Sequence, residues 1–263
     1  MCIWSALDQK YGKADEMRIL WIDPIVEDRI YVSALRQALD EARRPDTELE
    51  IISLPEGPAP RHLRYHAYEA LVMGDIVTAV YRLGPDFDAI IIGCFYDLAL
   101  REAREVSGKA IVTAPCESSI AIAGQLGNTF SVLVGADKAI PKMRENIRAY
   151  GYEHRLMSMR PLNMGVLEFQ AQAERTMEAM LREGKLAVEE DRAEVIVLGC
   201  SAEVGFHQTL QEELGVPVID SALAPFKLAE FLAETASRFG WYPSRRWGSE
   251  PPPEDEIREW GLF

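Results

Sequence analysis

Short apolar runs alternate with longer amphipathic segments along most of the chain. The runs at 18–22, 49–54, 89–92, 110–113, 130–134, 195–198 and 216–219 are rich in β-branched residues and predict strands. Several are apolar throughout, as expected of parallel strands covered by helices on both faces. Between them, helical patterning covers about 27–43, 66–82, 97–106, 138–150, 165–190, 204–214 and 221–238. In the second of these, Leu71, Ile76, Val77 and Val80 lie near three- to four-residue spacing. Alternating β and α elements imply an α/β fold with parallel sheets and right-handed crossovers.

Two segments fall outside the alternation. Residues 1–17 are polar with no clear period, an N-terminal extension. Residues 242–263 carry Pro251-Pro252-Pro253 among acidic residues, and predict a tail on the surface or reaching a neighbouring subunit. The stretch 55–60, Pro-Glu-Gly-Pro-Ala-Pro, is a rigid loop that either covers a substrate or simply connects two elements.

Composition narrows the class. The 263 residues suffice for one large domain or two small lobes with a core that needs no disulfide or metal. An apolar content of 48% beside 27% charged residues argues against disorder. The net charge of −14 leaves no basic face for nucleic acid or an anionic membrane. No apolar run approaches the roughly 20 residues of a membrane span. Residues 1–5 do not begin a basic-then-apolar secretory leader. A cytoplasmic protein with reduced thiols is expected.

Those thiols are Cys2, Cys94, Cys116 and Cys200, too dispersed for a zinc site or a disulfide framework. Two of them belong to an internal repeat. Asp88-Ala89-Ile90-Ile91-Ile92-Gly93-Cys94 parallels Ala193-Glu194-Val195-Ile196-Val197-Leu198-Gly199-Cys200. In each copy a further apolar triplet begins 16 residues after the cysteine, at Ala110 and at Val216. The repeat predicts two βαβ lobes with a thiol at the carboxyl end of a strand in each, the edge where open α/β sheets bind ligands.

A pseudo-dyad would set the two thiols on opposite faces of a small ligand. One thiolate could then remove a proton from a carbon acid while the other thiol returns one, inverting a stereocentre without a cofactor. Helices following both cysteines would lower the thiol pKa from about 8.5 and help hold an oxyanion. A lone cysteine at a buried strand end is usually an apolar filler. Two at matching places in a repeat argue for chemistry. Cys116 has no twin, and is expected to pack or to line the cleft; Cys2 is incidental.

The motifs Gly93-Cys94-Phe95-Tyr96-Asp97-Leu98-Ala99-Leu100 and Leu198-Gly199-Cys200-Ser201-Ala202-Glu203 resemble the aspartate/glutamate racemase superfamily, and within it the hydantoin racemase-like branch, whose first motif reads Cys-Phe-x-Asp-x-x-Leu. The second is followed by Gly215-Val216-Pro217-Val218-Ile219-Asp220, and the likeness covers about 17–240. It implies two pseudo-symmetric lobes, each a parallel sheet flanked by helices, with the active site in the cleft between them. Lobe 1 would comprise 18–113 and 219–241, and lobe 2 would comprise 114–218. The resemblance also implies no cofactor, no metal, and Cys94 and Cys200 as acid/base thiols acting on hydantoins, allantoin or amino acids at the carbon alpha to a carbonyl.

One departure bears on substrate. The branch commonly carries Asn-Pro-Asn-Thr/Ser after its first strand, where this chain has Asp23-Pro24-Ile25-Val26. Asp23 could accept from a ring N–H or an ammonium and would repel a carboxylate. Residues expected to contact substrate are Asp23, Pro24, Phe95, Tyr96, Cys116, Glu117, Ser118 and Ser201. His62 and His66, at i,i+4 spacing, could share a helix face and cap the cleft, though no third ligand for a metal is evident. Arg61 and Arg64 are candidates for an anionic group. His207 is expected at the surface or between subunits. The expected partner is a small carbonyl compound, bound by a homo-oligomer. Two rival functions remain: a cysteine-nucleophile isomerase, ring-opening or decarboxylating lyase of the same superfamily, and a non-catalytic binding protein on this scaffold.

Overall fold

The computed structural model describes residues 16–26, 28–54 and 60–263. Cys2, nearly all of the N-terminal extension and most of the Pro-rich loop lie outside the described residues. The first strand, β1 (Met17–Asp23), leads into α1 (Arg29–Ala42), whose first turn is capped by Asp28 accepting from the amides of Ile30 and Tyr31 at 3.0 and 3.2 Å. Tyr31, Leu35 and Leu39 form its buried stripe. Then follow β2 (Thr47–Ser53), α2 (His66–Leu83), β3 (Ala89–Ile92), α3 (Leu100–Val106) and β4 (Ile111–Thr113). These strands make a parallel sheet in the order β2-β1-β3-β4.

The chain repeats the plan. After α4 (Pro115–Leu126) come β5 (Phe130–Val134), α5 (Ile140–Ala149), β6 (Leu156–Pro161), α6 (Glu168–Ala171), α7 (Ala173–Glu189), β7 (Val195–Leu198), α8 (His207–Leu214) and β8 (Val218–Ile219). The second sheet has the order β6-β5-β7-β8, also parallel. Two four-stranded parallel sheets with the same strand order and flanking helices realise the expected two-lobe α/β architecture. The last long helix, α9 (Leu223–Phe239), returns to pack on β3, β4 and α1.

Several elements differ from the sequence pattern for local reasons. β6 escapes hydropathy because Ser158 and Arg160 interrupt its apolar run, and it pairs with β5 at the sheet edge. The segment read as one helix over 165–190 breaks at Gln172, where the Thr176 hydroxyl takes the carbonyls of Phe169 and Gln172 at 2.9 and 3.0 Å. The final residues lie against the first lobe. A short helix, α10 (Glu254–Trp260), buries Ile257, and Arg245 donates to the Ser107 hydroxyl at 3.1 Å and to the Arg104 carbonyl. Among the described residues no helix is long and apolar enough to cross a membrane.

The strand-end glycines are required in both lobes. A Cβ on Gly93 would lie 2.3 Å from the Trp21 indole nitrogen, and one on Gly199 would lie 2.4 Å from the Leu133 carbonyl oxygen. Each glycine amide also extends the sheet by one bond, Gly93 to Ile22 and Gly199 to Leu133, both at 2.8 Å. The two Gly-Cys dipeptides therefore leave their sheets at equivalent points.

Candidate active site

A cavity of about 110 Å³ lies between the two carboxyl edges, lined from both lobes. The first lobe contributes Asp23 and Pro24 from the end of β1, Tyr31 from α1, the His62–Arg64 segment and Gly93–Tyr96. The second contributes Gly135 and Ala136 after β5, Met164, residues of α6 and Gly199–Ala202. Cys94 and Cys200 both line it, each half-buried and free.

Neither cysteine begins a helix. After Cys94 the chain makes a tight turn in which Asp97 and Ala99 take left-handed φ of 49° and 52°, and α3 starts only at Leu100. After Cys200 a three-residue 3-10 turn intervenes, then Gly205 at φ 89°, before α8 starts at His207. The expected helix-terminus activation of the thiols is therefore corrected. Burial dominates instead. It pushes the Cys94 thiol up to about 12, with Asp97, Glu69 and Asp23 adding to the rise and the Tyr96 amide working against it. Cys200 is likewise held well above the ordinary thiol range by burial and then by Glu203, while the Ala202 amide works against it. In both lobes the opposing amide belongs to the residue two positions after the cysteine.

Asp23 is 1% exposed, and its Oδ2 has no hydrogen-bond partner among the described residues. Burial, and then the neighbouring Asp28, raise its carboxyl well above the usual carboxylate range and favour the neutral acid. In the second lobe Val134 occupies the corresponding strand position, and the cavity there is lined by Gly135 and Ala136, so no carboxyl faces Asp23 from that strand end. Among the described residues the Tyr31 hydroxyl nearby is also buried without a hydrogen-bond partner, with the Ser201 side chain beside it. Residue patterning missed Tyr31, because its i,i+4,i+8 spacing with Leu35 and Leu39 marks it as ordinary core. The usable signal was its place in the first turn after a strand's carboxyl end.

The remaining expected residues divide. Pro24, Phe95, Tyr96 and Ser201 line the cavity. Cys116, Glu117 and Ser118 sit outside its lining, in the first turn of α4: Cys116 and Ser118 are fully buried, and Glu117 pairs with Arg104. What that turn does instead is hold the Cys94 loop, since the amides of Cys116 and Glu117 both donate to the Asp97 carboxylate at 2.8 Å. The Tyr150 hydroxyl adds a third bond to Asp97 at 2.9 Å. Asp97 thus caps a helix of the other lobe from 20 residues away, and burial lifts its carboxyl to about 7.

His62 and Arg64 line the cavity, whereas His66 faces Glu69 at 3.1 Å and Arg61 is exposed. The two histidines do not share a helix face, because α2 starts at His66. Arg64 donates to the Met164 carbonyl at 3.2 Å across the cavity mouth. His207 lies against Asp220, the residue after β8, at 3.2 Å. Among the described residues no group of three or more His, Cys, Asp or Glu is placed to hold a metal.

Residues 28–229 match the model of the Asp/Glu/Hydantoin racemase family. The chain belongs to that family. It is accordingly an isomerase of the racemase kind. The hydantoin racemase of Pseudomonas sp. strain NS671 is 35% identical over 205 residues, 78% of this chain and 81% of that one. The hydantoin racemase of Paenarthrobacter aurescens is 31% identical over 242 residues, 91% and 99% of the two chains. The allantoin racemase structure from Pseudomonas fluorescens superposes with a TM-score of 0.80 at 27% identity, covering 90% of this chain and 98% of that one.

Proposed function

We propose that this racemase-family protein inverts the carbon alpha to a carbonyl in a hydantoin-like or amino-acid-derived small molecule, using Cys94 and Cys200 as a cofactor-independent acid/base pair. One observation carries the reading: two Gly-Cys turns, leaving two equivalent sheets at equivalent points, open onto a single cavity. With substrate between them, the thiolate of one cysteine takes the alpha proton and becomes a thiol. The electron pair passes into the carbonyl as an enolate. The thiol of the other cysteine then gives its proton to the opposite face and becomes the thiolate, so enzyme and substrate exchange no net proton. Burial that raises a thiol makes its thiolate a stronger base, which suits a weakly acidic C–H.

Asp23 bears on the substrate. Held toward its neutral form, it offers an O–H donor and a C=O acceptor, the pair that a carboxamide would offer at the same place. That favours an uncharged N–H/C=O edge over a free carboxylate. The mostly apolar remainder of the cavity, with Met164 and Phe95 in its wall, suits a hydrocarbon substituent on the inverted carbon.

The test is loss of optical rotation of 5-substituted hydantoins, allantoin and free amino acids in D₂O, scored against the enzyme-free rate. We expect solvent deuterium in the inverted product, and a fall of at least about 1,000-fold in both Cys94→Ser and Cys200→Ser. Full activity in either variant would overturn the two-thiol reading. A covalent substrate adduct in the intact mass would replace it with nucleophilic catalysis, and absence of turnover on every carbonyl compound would replace it with binding alone.

A further inference from the structure

Ser201 follows the second cysteine and lines the cavity, which makes it look like a substrate contact. Its hydroxyl is engaged elsewhere. Ser201 Oγ donates to the carbonyl of Gly93, in the other lobe, at 2.9 Å, and the bond is buried. That carbonyl belongs to the peptide immediately before Cys94. The same peptide's N–H, that of Cys94, donates to the Ile92 carbonyl at 2.8 Å, and the Gly93 amide donates to Ile22. The peptide leading into the first thiol is thus held at its N–H by its own lobe and at its oxygen by the residue next to the second thiol.

Other contacts make the same cross-lobe clamp. Asn146 on α5 donates to the Tyr96 carbonyl at 2.7 Å, and Asp97 is fixed by the first turn of α4 and by Tyr150. Phe95 is 2% exposed and packs with Cys116, Ile120 and Phe130, core residues of the second lobe. The Cys94 turn therefore grows from the first sheet but is anchored in the second lobe. Within this clamp, the Ser201 bond runs directly from one Gly-Cys turn to the other.

We infer that Ser201 is a positioning residue that sets the separation and relative orientation of the two thiols, rather than a ligand of the substrate. The inference rests on the two-thiol reading for its effect on rate, but not for its effect on Cys94 itself. Without the hydroxyl, the Gly93 carbonyl loses its buried donor and the Cys94 peptide can rotate. A misplacement on the scale of an ångström at a reacting group can cost about 100-fold in rate.

The experiment compares Ser201→Ala with Ser201→Thr, which keeps a hydroxyl, in two assays. In steady-state racemisation, Ser201→Ala should lower kcat by about 10- to 100-fold while KM stays within about threefold, and Ser201→Thr should recover most of the loss. In iodoacetamide labelling followed by peptide mass mapping, without substrate, Ser201→Ala should change the alkylation rate of Cys94 by more than about threefold, since the tie it removes acts on that residue. A rise in KM with kcat and Cys94 labelling unchanged would overturn the inference and return Ser201 to substrate binding. Unchanged kinetics and labelling would overturn it as well. If Cys94→Ser or Cys200→Ser proved fully active, the two-thiol chemistry would fail on its own, and the labelling of Cys94 would still decide whether Ser201 holds that turn.

Discussion

At the scale of single residues, the proposed chemistry depends on how strongly burial acts on the thiols. With Cys94 raised to about 12, almost all of it is thiol at neutral pH, and the thiolate fraction grows about tenfold for each pH unit below that value. The base in the proposed reaction is the thiolate, so the sign is unambiguous: activity rises with pH. For the direction in which Cys94 removes the proton, kcat/KM measured from pH 7 to 10 should climb without a plateau. A plateau reached by pH 8 would mean that a lowered thiol, not a buried one, does the work. Gly93 and Gly199 show how narrow the tolerance is around these thiols, since neither site has room for a methyl group against Trp21 or the Leu133 carbonyl.

At the scale of elements, the Cys94 turn and α4 are one unit. Asp97 satisfies two amides in the first turn of α4, a helix with no side-chain cap from its own N-cap residue. Replacing Asp97 with alanine removes three hydrogen bonds and leaves one buried and one half-buried amide without an acceptor, a loss of about 2–4 kcal/mol in urea unfolding. The ionisation of Asp97 adds a pH signature. Its folded pKa of about 7 lies above the unfolded value, so the protonated group favours the fold. That contribution is fully present below about pH 4 and is lost as pH rises toward 7. Comparing urea midpoints at pH 4 and 8, Asp97→Asn should lose less stability over this interval than the wild type. An identical decline in both would assign the pH dependence to other groups.

At the scale of the whole molecule, two more polar ties between the lobes add to the clamp on the Cys94 turn. Arg64 reaches over the mouth to the Met164 carbonyl, and Lys138 of the second lobe stands 5.5 Å from the Tyr65 ring of the first. Both ties are partly exposed. Arg64→Ala should therefore change unfolding free energy by no more than about 1 kcal/mol. It should raise KM severalfold, because Arg64 also forms the cavity wall. A large loss of stability with KM unchanged would make Arg64 a structural brace with no part in the pocket.

Much was legible in the chain because the signals were local. Apolar β-branched runs, amphipathic spacing and the repeated Gly-Cys strand ends are one-dimensional consequences of parallel strands buried on both faces, and they gave two α/β lobes and the pair Cys94 and Cys200. Asp23 was legible as a departure from a motif, and it lies in the cavity wall. Long-range geometry was not legible. Nothing near Cys116, Glu117 and Ser118 in sequence reveals that their turn serves Asp97 and lies outside the cavity lining. Nor does any spacing show that the Ser201 hydroxyl reaches Gly93. Tyr31 looked like core because a helix stripe reads the same whether it faces a filled interior or a cavity. The sequence by itself determined the two lobes and the paired thiols, because hydropathy period and repeat are properties of neighbouring residues. Only the tertiary structure decided how each thiol is held and what surrounds it, because hydrogen bonds between residues about 20 to 100 positions apart and the burial that raises a pKa exist only once the lobes are packed together.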